Sequence, residues 1–197
     1  MSDALERLGL YVVKDFLDAE ECARLVEEVS AARGGPATVY RPGAASPVDE
    51  SLRRTTRHML SPETTERVRR RLLGRKEEVA AHFGLPLHDC EDPQFLRYRE
   101  GDFFVAHQDG NTGMLRAERE SRLISVVIFL SRQADGAGGG DYGGGSLVFS
   151  DWRPGSNRGV FRVAGEPGAL VAFRAETTHE VTPVTHGERL SIACWYM

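Results

Sequence analysis

From residue 93 onward the chain is a series of short apolar runs separated by turn residues: "PQFLRYR", "DFFVAH", "RLISVVIFLS", "GGSLVFS", "RGVFRVA", "GALVAFRA", "HEVTPV" and "RLSIACWYM". Each is the length of a strand, and no helical pattern lies between them. About eight strands in about 100 residues without crossover helices predict an antiparallel barrel or jelly roll. The glycine-rich "DGAGGGDYGGG" (135–145) sits between two of these strands and is too short for a domain linker, so it reads as a flexible loop at the barrel mouth.

The first half follows a different period. "GLYVVKDF" (9–16) reads as a short strand. Asp18 and Glu21 then supply an N-cap and its capping-box partner, and Cys22, Leu25, Val26 and Val29 fall on one face of a helix. Ser61-Pro62 opens a second helix, Val68, Leu72, Val79 and Phe83 mark its buried stripe, and Gly84 ends it. Its arginine-rich stretch "RVRRRLLGRK" reads as a solvated face. "YRPGAASPVDES" (40–51) has loop composition. The expected fold is α+β, mainly β: a double-stranded β-helix (jelly-roll) barrel with two N-terminal helices packed on one sheet. The 197 residues, 41% of them hydrophobic, suit one domain, with 1–90 as helical support and 91–197 as the jelly-roll core.

A net charge of −4 gives no global basic field, so nucleic acid is not expected as a partner. Cys22, Cys90 and Cys194 form no CxxC pair and read as buried thiols of a reducing compartment. No stretch approaches the ~18 apolar residues of a membrane span, and the N-terminus does not resemble a signal peptide. A cytoplasmic protein without a membrane partner is expected; the sequence leaves the oligomeric state open.

The stretch "DFFVAHQDG" carries the chemistry. His107 and Asp109, two apart at a strand end, are expected on one face, and a carboxylate and an imidazole facing an apolar interior need a partner. His179, at the start of a later strand, supplies it. Two histidines and one carboxylate form the facial triad that holds non-haem Fe(II) with three positions open, whereas a structural zinc site wants four closed ligands. His58, His82, His88 and His186 are not needed for this set. The open positions suit a bidentate 2-oxoacid and O2. The far carboxylate of such a cosubstrate needs a cation, and Arg189, ten residues after His179, offers a planar, permanently charged fork from the next strand.

Together "FLRYREGDFFVAHQDG", "RLISVVIFLS", "YGGGSLVF", "PGALVAF" and "HEVTPVTHGERLSIACWYM" resemble the Fe(II)/2-oxoglutarate dioxygenase superfamily over about residues 90–197, in the branch of the prolyl 4-hydroxylases and related hydroxylases. The resemblance implies that Tyr98 helps bind 2-oxoglutarate and that Arg189 pairs with its distal carboxylate. It matches Trp195 to a tryptophan of the barrel wall, with core packing as the other reading. It matches Arg122 to an arginine that contacts a peptide substrate, with a solvent-facing strand end as the other reading. Phe104 is a departure: the prolyl hydroxylases carry tyrosine there, near the substrate, and phenylalanine has no hydroxyl to donate.

The activity implied is hydroxylation of an unidentified protein side chain, amino acid or small metabolite, with Fe(II), 2-oxoglutarate and O2 consumed to give succinate and CO2. A nucleobase demethylase of the superfamily would carry a second arginine where Trp195 stands, and a halogenase would lack the carboxylate of Asp109. Two other readings are a non-catalytic sensor that binds metal or 2-oxoglutarate, and a cupin-like metalloenzyme without a 2-oxoacid. The triad argues against the first, and a joint purpose for Tyr98 and Arg189 against the second. Segments 40–57, 110–121 and 135–145 are the candidate lids.

Overall fold

The computed structural model describes residues 9–39, 48–110, 122–134, 139–150 and 160–197. In chain order its elements are β1 (Tyr11–Val13), α1 (Ala19–Ala31), β2 (Gly34–Pro36), β3 (Arg53–Arg54), β4 (Thr56–His58), α2 (Pro62–Leu73), α3 (Lys76–Phe83), β5 (Gln94–Tyr98), β6 (Phe103–His107) and β7 (Ile124–Phe129). They continue with β8 (Tyr142–Gly144), β9 (Leu147–Ser150), β10 (Val160–Val163), β11 (Leu170–Arg174), β12 (His179–Val181), β13 (Val184–Gly187) and β14 (Arg189–Tyr196). The described residues are mainly β with three helices.

Alternation along the strands builds three layers. In β14, Leu190, Ile192, Cys194 and Tyr196 join a core with Cys22, Leu25 and Val29 of α1, Val68 and Leu72 of α2, and Val79 and Phe83 of α3. The intervening Arg189, Ser191, Ala193 and Trp195 face the opposite way and line a cleft. This strand belongs to a seven-stranded sheet ordered β1-β11-β7-β14-β5-β4-β2. A second sheet, β10-β9-β12-β6-β3, packs on its other face through Phe129, Val171 and Phe173 against Leu147 and Phe149. Helices, large sheet and small sheet thus stack in that order, and the cleft lies between the sheets.

The strands do not close into the expected barrel. The two sheets are separate hydrogen-bonded units, and their edge strands are two to four residues long. The chain changes sheet between elements rather than along a bent strand. At Thr55, between β3 and β4, the side chain rather than a ladder bond reaches the carbonyl of Arg97.

Two helices were expected, and three are present among the described residues. Asp18 accepts from the Glu21 N–H while Glu21 accepts from the Asp18 N–H, so α1 starts with the anticipated capping box. The long second segment breaks at Gly74–Arg75 into α2 and α3. Glycine is a poor helix-interior residue, and no side chain caps the start of α3. The seven-residue step from Leu72 to Val79 keeps the stripe in register across the break, so both halves stay buried. The arginine-rich face is also more engaged than a solvated one: Arg67 pairs with Glu28, Arg69 with Asp89, and Arg71 with Glu21 and the Phe16 carbonyl.

The first ninety residues supply strands as well as helices. β1, β2 and β4 extend the large sheet, and β3 extends the small one. Within the glycine-rich segment, Tyr142–Gly144 forms β8 and pairs with β13 rather than remaining a loop. Gly144 has a φ of +64°, and a Cβ there would meet the Pro183 carbonyl oxygen and the Thr185 N–H, so glycine there serves close backbone approach, not flexibility. Of the candidate lids, 40–47, 111–121 and 135–138 lie outside the described residues.

Candidate metal centre

Strand pairing brings the two histidines together. His107 ends β6 and His179 begins β12, and the two are direct cross-strand partners in the antiparallel ladder. Each ring is oriented by the backbone two residues earlier: His107 Nδ1 lies 2.8 Å from the Val105 carbonyl and His179 Nδ1 2.9 Å from the Thr177 carbonyl. With Nδ1–H donating in each ring, Nε2 is left as a lone-pair donor on the cleft side.

Asp109 lies beyond the end of β6, in a bend rather than on the strand. The Asp109 and Gly110 N–H groups both donate to the Ala175 carbonyl at 2.9 Å and fix the bend against the β11–β12 connection. Asp109 Oδ1 is 3.6 Å from His107 Nε2, and Oδ2 is 3.5 Å from His179 Nε2. One donor atom from each of the three residues lies within 4.8 Å of the others, and this is the one such His/Cys/Asp/Glu group among the described residues. The other four histidines stand outside it.

Ser125 of β7, in the opposite sheet, donates to Asp109 Oδ2 at 2.7 Å, so the carboxylate is held from both layers. Burial pushes the Asp109 carboxyl up, but the His107 and His179 rings beside it outweigh that and hold the group well below the usual carboxylate range. Burial, together with the charge of His107, lowers His179 to about 4 against the pull of Asp109 and the Thr177 carbonyl. An anionic carboxylate beside a neutral imidazole is the protonation state that a divalent cation requires.

A cleft of about 670 Å³ opens over these groups and is lined by all eight residues singled out in the sequence: Tyr98, Phe104, His107, Asp109, Arg122, His179, Arg189 and Trp195. Arg189 is 1% exposed and stands opposite Tyr98 in the β5–β14 ladder. Its Nη1 donates to Ser191 Oγ at 2.7 Å, its Cζ sits 5.0 Å from the Tyr98 ring centre, and its Nε has no hydrogen-bond partner. Among the described residues no carboxylate lies within ion-pair distance of it. A guanidinium buried without a counter-ion is costly unless an anion completes it.

Three residues behave differently from their simplest readings. Arg122 is not a solvent-facing strand end: its side chain makes a two-point ion pair with Glu91, at 2.6 and 2.8 Å, and its Cζ lies 3.6 Å from the Trp195 ring centre. The fork expected to stay available for a substrate is therefore engaged. Trp195 is 6% exposed, so it packs and also borders the cleft. Phe104 stacks on His107 with ring centres 3.6 Å apart, and the Arg53 Cζ lies over the same ring, 4.7 Å from its centre. Ser125, Ser191 and Arg53 complete the cleft without having been singled out. The two serines carried a signal, since each is a polar residue at an inward position of an otherwise apolar strand.

A family model described as the 2OG-Fe(II) oxygenase superfamily matches residues 93–197, the span of β5 to β14. The chain belongs to the 2OG-Fe(II) oxygenase superfamily. That superfamily works with Fe(II), 2-oxoglutarate and O2. A PKHD-type hydroxylase of Klebsiella pneumoniae (strain 342) is 30% identical over 194 residues, covering 94% of this chain and 77% of that protein. A PKHD-type hydroxylase of Paraburkholderia phytofirmans is 36% identical over 104 residues, covering 52% of this chain and 41% of that protein. The match thus spans about two fifths of the second relative. In fold, the oxygenase resembles a crystal structure of a Pseudomonas putida prolyl-4-hydroxylase with a TM-score of 0.72 at 23% identity, covering 98% of this chain and 95% of that one.

Proposed function

We propose that this oxygenase hydroxylates a substrate that enters the cleft between its sheets, using Fe(II) held by His107, Asp109 and His179 and 2-oxoglutarate anchored by Arg189 and Tyr98. In this reading the two sheets are the halves of a double-stranded β-helix of the prolyl 4-hydroxylase-like branch. The chain acts as one domain, a reading supported by β1–β4 joining both sheets. Three buried free thiols support a reducing, cytoplasmic setting.

One juxtaposition carries the proposal: a His-Asp-His cluster, partly open to the cleft, shares that cleft with a buried arginine that has no carboxylate partner among the described residues. The metal and its cosubstrate, when bound, supply the oxidising chemistry. The overall reaction is R–H + 2-oxoglutarate + O2 → R–OH + succinate + CO2. The chain's own part is positional. Val105 and Thr177 carbonyls fix the imidazole tautomers, Ser125 and the Ala175 carbonyl fix Asp109, and Arg189 neutralises the distal carboxylate where water is excluded.

Mass-balanced turnover tests this directly. The protein with Fe(II), 2-oxoglutarate and O2 is expected to form succinate slowly without substrate and faster with it, and to lose both activities when Asp109 becomes alanine. Succinate production indifferent to Fe(II) would refute the proposal.

A further inference from the structure

Once the metal ligands and the cosubstrate anchor are assigned, one buried cation facing the cleft is left over. Arg53 of β3 is 9% exposed and pairs across the strand with Phe104, so the two side chains share a face of the small sheet. Its Cζ lies 4.7 Å from the centre of the Phe104 ring, which also stacks on His107. Arg53 is thus one aromatic ring away from a metal ligand. Its Nη1 donates to the Thr38 carbonyl at 3.2 Å, while its Nε is buried without a hydrogen-bond partner.

The charges around it are accounted for elsewhere. Among the described residues lining the cleft, Asp109 faces the two histidines and Glu91 pairs with Arg122. Neither pairs with Arg53, and among the described residues no other carboxylate comes within ion-pair distance of it. A carbonyl and a ring face satisfy a guanidinium only in part, and a permanently charged group this buried gains most from an oxyanion. Lysine's point charge would not match the same two-point geometry.

Resting on the proposed hydroxylase activity, we infer that Arg53 is a specificity-determining residue that receives a carboxylate of the substrate, so the natural substrate is an acid: an amino acid, an acidic side chain or another carboxylated metabolite. Phe104 supports the arginine in this role. A tyrosine hydroxyl at Phe104 would add a polar group beside the salt bridge, whereas the apolar ring leaves the carboxylate to the guanidinium alone.

Arg53 also borders a second cavity with His58, Arg54 and Arg97, so the test must locate the anion as well as detect it. The probe is 4-(trifluoromethyl)benzoate, with its uncharged amide as control, followed by fluorine NMR on protein saturated with 2-oxoglutarate so that Arg189 is filled. The benzoate is expected to bind more tightly than the amide. Arg53→Gln should weaken it about tenfold or more, Arg53→Lys should restore part of the loss, and the affinity for 2-oxoglutarate should not change. With Mn(II) in the metal site, the bound fluorine should relax fast. Equal binding of acid and amide, or an Arg53→Gln variant that binds the benzoate as the wild type does, overturns the inference. So does Arg53-dependent binding without paramagnetic relaxation, which would put the anion in the second cavity. Substrate-free succinate formation, measured alongside, separates failure of this inference from failure of the hydroxylase reading.

Discussion

Arg189 shows how a single side chain encodes an expectation. Burying a guanidinium is tolerable when a fixed anion meets it, and a charge-assisted hydrogen bond is worth about 1.5–3 kcal/mol. Arg189→Ala is therefore expected to raise the KM for 2-oxoglutarate about ten- to hundredfold while Fe(II) stays bound, and steady-state kinetics paired with a metal assay will check it. Tyr98→Phe should act in the same direction and more weakly. A wild-type KM in Arg189→Ala would mean that another cation anchors the cosubstrate. At this scale the sequence was informative where a residue type has few structural uses. An HxD pair, a later histidine and an arginine ten residues on could be paired with a chemistry from spacing alone. Arg122 and Arg53 were not legible, because their roles depend on which neighbour arrives first. Glu91 engages the former across 31 positions, and only strand pairing sets the latter over Phe104.

Elements place these residues, and tight turns place the elements. Gly168 precedes β11 with a φ of +82°, and a Cβ there would lie 2.1 Å from the Leu17 carbonyl oxygen. The same turn receives the Leu17 N–H on the Gly168 carbonyl, tying the β1–α1 connection to the sheet. Gly168→Ala is expected to lower stability by roughly 1–3 kcal/mol, read as a reduced denaturation midpoint with an unchanged slope. An unaltered midpoint would show that this turn relaxes freely. The eight apolar runs each became a strand because their alternation matches a face buried on one or both sides. β8 and β13 escaped notice, since "YGG" and "VTHG" lack any apolar alternation and pair through glycines that admit close backbone approach. The break at Gly74 was hidden for the converse reason: the buried stripe continues unbroken through it.

On the scale of the whole molecule, the helices cover one face of the large sheet and leave the other for chemistry. The family match covers residues 93–197, yet the cleft is completed by Thr38, Val39, Leu52 and Arg53 from before it. That arrangement explains why the candidate metal group could be read from the second half alone while the rest of the cleft wall could not. Of the group's three residues, His107 and His179 sit on paired strands and Asp109 in the bend just after one of them, a local signature, whereas the wall is assembled from segments remote in sequence. Because metal binding is linked to folding, a ligand present at a hundred times its Kd would stabilise the chain by about 2.7 kcal/mol, and removal of one triad residue should abolish that increment. Whether His107, Asp109 and His179 hold one Fe(II) is decided by anaerobic titration of the metal-free protein with Fe(II). One ion per chain is expected in the wild type and in His82→Ala, with binding lost or greatly weakened in His179→Ala; undiminished Fe(II) affinity in His179→Ala would rule out this metal site.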